Sequence, residues 1–404
     1  MKTCPTCNEG FEDVDAAFCP EDGSVLLDKL AGETIDLRIG TRIEGYILSE
    51  VIADGGMGRV YKAYHPESRE RRAVKILHQK VARDPVNVER FRREYESSSE
   101  LEHPYLVRAY DFGDTPDGSH YLLMEFLEGE PLSDSLLRQH KFPLEQVLRY
   151  GSQLAIALGH THGAGLVHRD LKPENIFLRK TSQGVQVCLL DFGSAKNQME
   201  MGERLTAIGT TLGSPAYMSP EQASGERDID QRTDIFALGA ILHEMLGGEV
   251  AFAGDSMADI LNRVVRADYV PLQSVAAPVS AAVAQAMHVS KHARPQSAED
   301  YLNSVIASAG LHERVAEVAD ISAEEIGMAL AMAPPPAMMA ATERPAISSN
   351  ASESPSSAPK HSPHHVSANL PLRGSEGIMG GLMVAGLAVL LAAGAAVAYF
   401  LSQP

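Results

Sequence analysis

The tightest constraint in this chain of 404 residues is an ordered set of polar side chains on either side of one apolar strand. His168-Arg169-Asp170-Leu171-Lys172-Pro173-Glu174-Asn175 comes first, the strand Val185 to Leu190 follows, and Asp191-Phe192-Gly193 begins sixteen residues after Asn175. Each triplet is common alone; the ordered set is hard to obtain by chance. It puts a carboxylate, an ammonium and a carboxamide on one short loop and a second carboxylate after the strand. Moving a phosphoryl group onto a hydroxyl needs a carboxylate to take the proton, oxygen ligands for a divalent cation, and a positive charge beside the moving one. Asp170, then Asn175 with Asp191, then Lys172 suit these three roles.

Upstream, the chain reads as strand, turn, strand: Tyr46 to Ile52, a glycine cluster, then Arg59 to Tyr64, with a third strand over Arg72 to Leu77. The cluster Ala53-Asp54-Gly55-Gly56-Met57-Gly58 offers small residues where a hairpin backbone can approach phosphates. A glycine-rich turn with no ligand is an equal reading, and a Rossmann turn is excluded because a strand follows. Seventeen residues past Gly58, Lys75 interrupts the apolar strand Ala73-Val74-Lys75-Ile76. At a surface it would snorkel; if buried it needs an anion, and Glu94, on a helix predicted from Asn87 to Leu101, is the candidate. Apolar segments such as Leu144 to His162 and Thr233 to Leu246 predict helices buried in a larger lobe.

With these motifs in order, the sequence from about Tyr46 to Ala307 resembles the protein kinase family, and the runs Gly-Gly-Met-Gly-Arg-Val-Tyr-Lys-Ala and Asp-Leu-Lys-Pro-Glu-Asn look like bacterial, eukaryotic-like serine/threonine kinases. The resemblance implies an α+β, two-lobed fold with a small β-rich N-lobe, a larger helical C-lobe and ATP in the cleft. It implies that Lys75 contacts the α and β phosphates and pairs with Glu94, that Asp170 is the base, and that Asn175 and Asp191 hold magnesium. Ile52, Ala53, Gly55, Gly56 and Gly58 would then cover the nucleotide, with Val60, Ala73 and Phe177 around the adenine ring. Met124 would be the gatekeeper, and the Glu125 to Leu127 backbone would bind adenine. Lys172, with Gly213-Ser214-Pro215 before Tyr217, resembles the serine/threonine subclass, so protein substrates with Ser or Thr acceptors are expected. By the same analogy Glu221 pairs with Arg294 in a structural role, and Arg169 resembles a receiver for a phosphate placed on Thr206, Thr210 or Thr211 by autophosphorylation. One departure is Ala53, which stands where the family has its first glycine; reduced nucleotide affinity is the most it should cause.

The ends of the chain have different chemistry. Residues 1–40 hold nine Asp and Glu against three Lys and Arg, part of a formal charge of −18 that argues against coating nucleic acid. Four cysteines are too few for a disulfide scaffold, and three lie in the first twenty residues. Cys4, Cys7 and Cys19 have zinc-knuckle spacing and resemble half of a zinc ribbon, with Asp22 where a fourth cysteine would stand; zinc bound by this set competes with free thiols in a disordered head. Near the other end, residues 378–401 carry no charge over 24 positions, enough to span a bilayer, with Lys360 and Arg373 on the near side. Only three residues follow, so the expectation is a single-pass anchor in the inner, cytoplasmic membrane with the bulk of the chain in the cytoplasm. Gly377, Gly381 and Ala385 recur at four-residue spacing, which would permit a homodimer.

The resulting organisation is a zinc-ribbon-like head at 1–30, a linker at 31–44, a kinase domain at 45–308, a helical extension at 309–333, a disordered Pro/Ser/Ala-rich linker at 334–377 and a transmembrane helix at 378–401. Within the extension, Ser322 and Glu325 have capping-box spacing. Cys188 reads as core and His168 as a brace for the catalytic loop. The leading function is a membrane-anchored serine/threonine kinase using ATP and magnesium. Its rivals are a nucleotide-binding scaffold, supported only by Ala53, and a small-molecule phosphotransferase, opposed by the run through Ser219-Pro220-Glu221.

Overall fold

The computed structural model describes residues 2–3, 10–11, 19–20, 27–28, 36, 38–191 and 215–332. In the head, β1 (Lys2–Thr3) pairs antiparallel with both β2 (Gly10–Phe11) and β3 (Leu27–Asp28).

The small lobe is a six-stranded sheet of β4 (Arg42–Ile43), β5 (Tyr46–Asp54), β6 (Gly58–Tyr64), β7 (Arg71–Leu77), β8 (Ala109–Asp114) and β9 (His120–Glu125), ordered β4-β5-β6-β7-β9-β8. Every neighbouring pair is antiparallel, and β5 extends two residues beyond the predicted strand. After the short helix α1 (Gln79–Ala82) comes α2 (Pro85–Glu100). Asp84 starts α2 by accepting the Val86 amide at 3.0 Å, and Pro85 occupies a first-turn position where no amide is missed. One face of α2 buries Phe91 against Leu77, Ala109 and Leu122 of the sheet. That packing aims Glu94, one turn further on, at β7.

The large lobe begins with β10 (Gly129–Pro131), α3 (Leu132–Gln139) and α4 (Leu144–Gly163), followed by a 3-10 turn (Pro173–Asn175) and the hairpin β11 (Ile176–Thr181) and β12 (Gly184–Leu189). A second 3-10 turn (Pro215–Tyr217) leads into α5 (Pro220–Ala223), α6 (Arg232–Gly247), α7 (Met257–Arg266), α8 (Ala277–Ala286) and α9 (Ala298–Ser308). Leu148, Leu154 and Leu158 of α4 and Ile235, Phe236, Leu238 and Ile241 of α6 are fully buried in one core. Each such side chain contributes roughly 1.5–3 kcal/mol by leaving water.

The helical extension folds as α10 (Val315–Asp320) and α11 (Ala323–Met332). Ser322 caps α11, its hydroxyl accepting the Glu325 amide while Glu325 accepts the Ser322 amide. Both helices lie on α4, with Val318 and Ile326 fully buried. Gln153 of α4 is the rivet: its amide nitrogen donates to the Ala319 carbonyl at 3.0 Å, and its oxygen accepts the Val187 amide of β12 at 2.8 Å.

Candidate active site

Lys75 lies on β7, where Val60 is its cross-strand partner on β6 and Leu122 its partner on β9. Paired residues share a sheet face, so Val60, Ala73, Lys75 and Met124 all stand on the side facing α2 and the large lobe. There the Lys75 ammonium donates to both carboxylate oxygens of Glu94, at 2.8 and 2.9 Å, and lies 3.5 Å from Asp191 Oδ2. The surface-lysine reading is thereby excluded. Burial alone would lower the ammonium, but Asp191 and Glu94 outweigh it and hold it above the ordinary lysine range. For Glu94, burial and then the Asp191 charge push the carboxyl up to about 7 against the pull of Lys75.

Below this pair lies the loop His168–Asn175. Asp170 receives Lys172 Nζ at 2.8 Å and Asn175 Nδ2 at 3.2 Å on the same oxygen, while Asn175 Nδ2 also donates to the Asp170 carbonyl at 2.7 Å. With its nitrogen turned to Asp170, the Asn175 side chain keeps Oδ1 as an acceptor. The Asn175 carbonyl takes the Leu190 amide at 2.8 Å, which ties the loop to the chain just before Asp191. Arg169 and Asp191 both adopt left-handed backbone, φ 65° and 57°, and such non-glycine strain persists only where surrounding contacts over-determine it.

For Arg169 those contacts centre on Asp234, which the sequence reading did not single out. It is fully buried in α6 and accepts the backbone amides of His168 and Arg169, each at 2.8 Å, together with His162 Nε2 at 2.8 Å. Burial alone would raise its carboxyl, but these donors hold it below the ordinary aspartate range. A signal existed: Asp234 is a carboxylate directly before the apolar run Ile235 to Leu242 of this helix. His168 acts as the expected brace, because Nε2 donates to the Leu190 carbonyl at 2.9 Å, leaving Nδ1 to accept the Asp170 amide at 3.3 Å.

Beside Asp170, a small pocket is lined by Lys172, Tyr217, Met218, Gln222 and Thr233. Gln222 anchors its wall by donating to the Arg169 carbonyl at 2.8 Å. Next to Gln222, Glu221 meets Arg294 in a buried bidentate pair, both bonds 2.7 Å.

The family model for the protein kinase domain matches residues 46–307. The chain belongs to the protein kinase family. Among curated kinases, it is 36% identical over 264 residues to the serine/threonine-protein kinase pkn2 of Myxococcus xanthus, covering 64% of this chain and 31% of that one. Serine/threonine-protein kinase pkn3 of the same organism is 37% identical over 232 residues, covering 57% of this chain and 41% of its own. With serine/threonine-protein kinase PknB of Mycobacterium tuberculosis the identity is 34% over 262 residues, covering 63% and 41%. This kinase chain thus aligns with only about a third to two fifths of the length of these relatives.

Within the kinase fold the other expected site residues lie as follows. Gly55, Gly56 and Gly58 form the turn and exit of the β5–β6 hairpin, with Ile52 and Ala53 at its exposed entry. Met124 and Glu125 end β9, Leu127 follows, and Phe177 lies on β11 opposite Pro131 and Cys188. Cys188 is fully buried, and burial pushes its thiol up to about 12, so it packs as core. Cys19 is described and buried; Cys4, Cys7, Asp22, Thr206, Thr210, Thr211 and the stretch 378–401 lie outside the described residues. Among the described residues no helix is long and apolar enough to cross a membrane, and no group of three or more His, Cys, Asp or Glu side chains could hold a metal ion.

Proposed function

We propose that this kinase transfers the γ-phosphoryl group of ATP to serine and threonine hydroxyls of proteins. One observation carries the reading: Lys75 joins Glu94 to Asp191, and the Asn175–Leu190 bond ties the Asp170–Asn175 loop to the chain just before Asp191, so five groups from separate elements of both lobes meet in one site. Lys75, steadied by Glu94, holds the α and β phosphates under the glycine-rich hairpin. Asp170 accepts the proton of the acceptor hydroxyl as its oxygen bonds the γ phosphorus and the bond to the ADP oxygen breaks. Lys172, already on Asp170, supplies positive charge beside the transferring group. Asn175 Oδ1 and the Asp191 carboxylate are hard oxygen donors that would hold a magnesium ion, which would supply neutralisation of the phosphate charge.

On the sequence alone we extend this reading to autophosphorylation at Thr206, Thr210 or Thr211, zinc on Cys4, Cys7, Cys19 and Asp22, and anchoring in the cytoplasmic membrane through 378–401. The test is transfer of labelled γ-phosphate from magnesium-ATP by the full chain, compared with Asp170→Asn, with phosphosites mapped by mass spectrometry. Label on serine and threonine that falls about 100-fold or more in the variant is the expected result. ATP binding without transfer to itself or to a basic protein acceptor would overturn it in favour of a scaffold.

A further inference from the structure

The glycine-rich hairpin is held from outside by a residue that precedes the matched domain. At its tip the Gly55 amide donates to the Gly58 carbonyl and the His78 amide to the Met57 carbonyl, both at 3.0 Å. His78 Nε2 lies 2.9 Å from the Gly55 carbonyl and 3.1 Å from Asp54 Oδ1. Across the hairpin Arg59 Nε donates to Asp54 Oδ2 at 2.9 Å, and the same guanidinium bonds Asp36 through Nη1. Asp36 in turn accepts the Tyr61 hydroxyl at 2.6 Å and the Arg38 amide at 3.0 Å. Arg59 and Tyr61 alternate with Val60 along β6, so this cluster lies on the outer face of the sheet, away from the cleft.

We propose that Asp36 is a positioning residue for nucleotide binding, fixing Arg59 and through it Asp54 so that the hairpin is shaped before the phosphates arrive. The proposal rests on the reading of the cleft as an ATP site. An exposed Arg59–Asp54 pair alone would do little, because two mobile side chains in water gain little by meeting. Asp36 changes that. Its side chain is 13% exposed against 44% for Asp54, and it is already fixed by a phenol and a backbone amide, so the guanidinium between them has one orientation. Burial alone would raise the Asp36 carboxyl, yet Tyr61, Arg38 and Arg59 together hold it low, and it stays an anion facing Arg59. Glycine loses the most freedom on ordering, so a tip restrained beforehand gives up less when ligand binds.

The test uses the full chain and reads two quantities: steady-state constants for ATP and acceptor, and amide exchange of residues 55–58 without nucleotide. Asp36→Ala should raise the KM for ATP about five-fold while kcat and the acceptor KM stay unchanged, and should speed hairpin exchange by a similar factor. Asp36→Glu should recover most of both effects. Arg59→Ala combined with Asp36→Ala should be no worse than the poorer single variant, since both break one network. Asp117→Ala, which cuts the exposed bond from Arg38 without touching the Asp36 cluster, should leave both readouts unchanged. An unaltered ATP KM and unaltered exchange in Asp36→Ala, or an equal loss in Asp117→Ala, overturns the proposal. Should the wild type itself bind no ATP, the kinase reading fails and exchange alone decides: faster in Asp36→Ala upholds the clamp, unchanged refutes it.

Discussion

The two lobes each bury a carboxylate against a cation, and they finish the pair differently. In the large lobe Arg294 uses all five of its N–H donors, two on Glu221 and the others on the carbonyls of His288, Arg232 and Val289. Burial alone would raise the Glu221 carboxyl, and Arg294 reverses that and holds it low. In the small lobe one ammonium, Lys75, serves two carboxylates, Glu94 and Asp191, and Glu94 is pushed up to about 7. The first site is electrostatically complete and has nothing left to bind. The second sets one ammonium between two carboxylates, and on the proposed function it is the site that a cation and phosphates would complete together.

The sharpest way to break this contrast is to remove each cation. Lys75→Met should lower phosphoryl transfer by about 1000-fold or more while leaving the melting temperature nearly unchanged, because Glu94 can take a proton in its place. Arg294→Met should do the reverse: stranding Glu221 costs about 3–5 kcal/mol, seen as a melting temperature lower by roughly 10 °C. Equal effects of the two variants on both readouts would erase the distinction. Next in size is Gly58→Ala, whose Cβ would run into the Ile76 carbonyl; reopening the hairpin should raise the KM for ATP about ten-fold in steady-state assays.

Titration sharpens the same comparison. Glu94 retains its proton when folded at pH values where an unfolded glutamate, ordinarily near 4.5, has lost it. Its contribution to stability is therefore full below 4.5 and is lost as pH rises through about 7. Glu221 and Asp234 have lowered carboxyls, so theirs is present above the ordinary carboxylate range and is lost as pH falls below it. Melting curves of Glu94→Gln from pH 5 to 8 should lack the decline of the wild type that this group causes, a change of roughly 5 °C. The smallest expected effect is that of Ala53→Gly, a change in ATP KM within about three-fold, because Ala53 sits at the exposed hairpin entry where no close approach demands glycine.

Legibility in the sequence followed the reach of each interaction. Lys75, Glu94, Asp170, Asn175 and Asp191 stood out because each sits in a short motif that resembles the protein kinase family and is chemically suited to phosphoryl transfer, and His168 and Cys188 because their local settings left few alternatives. The hydrophobic period placed α4 and α6 to within a residue or two of their ends. Asp234 escaped although its apolar surroundings marked it, since its partners His168 and Arg169 lie more than sixty residues earlier and no local pattern points to them. Asp36 and Gln153 were illegible for a related reason: one is an ordinary acidic residue in an acidic segment, the other a polar residue whose two bonds appear only when α10 and β12 reach α4.

The central claim, that the Lys75 cluster is completed by cation and nucleotide together, is tested most directly by calorimetric titration of ATP with and without magnesium on the wild type and on Asp191→Asn. The account predicts that magnesium strengthens binding to the wild type about ten-fold or more and that Asp191→Asn loses this gain with its melting temperature intact. Equal affinity with and without magnesium in both proteins would contradict it.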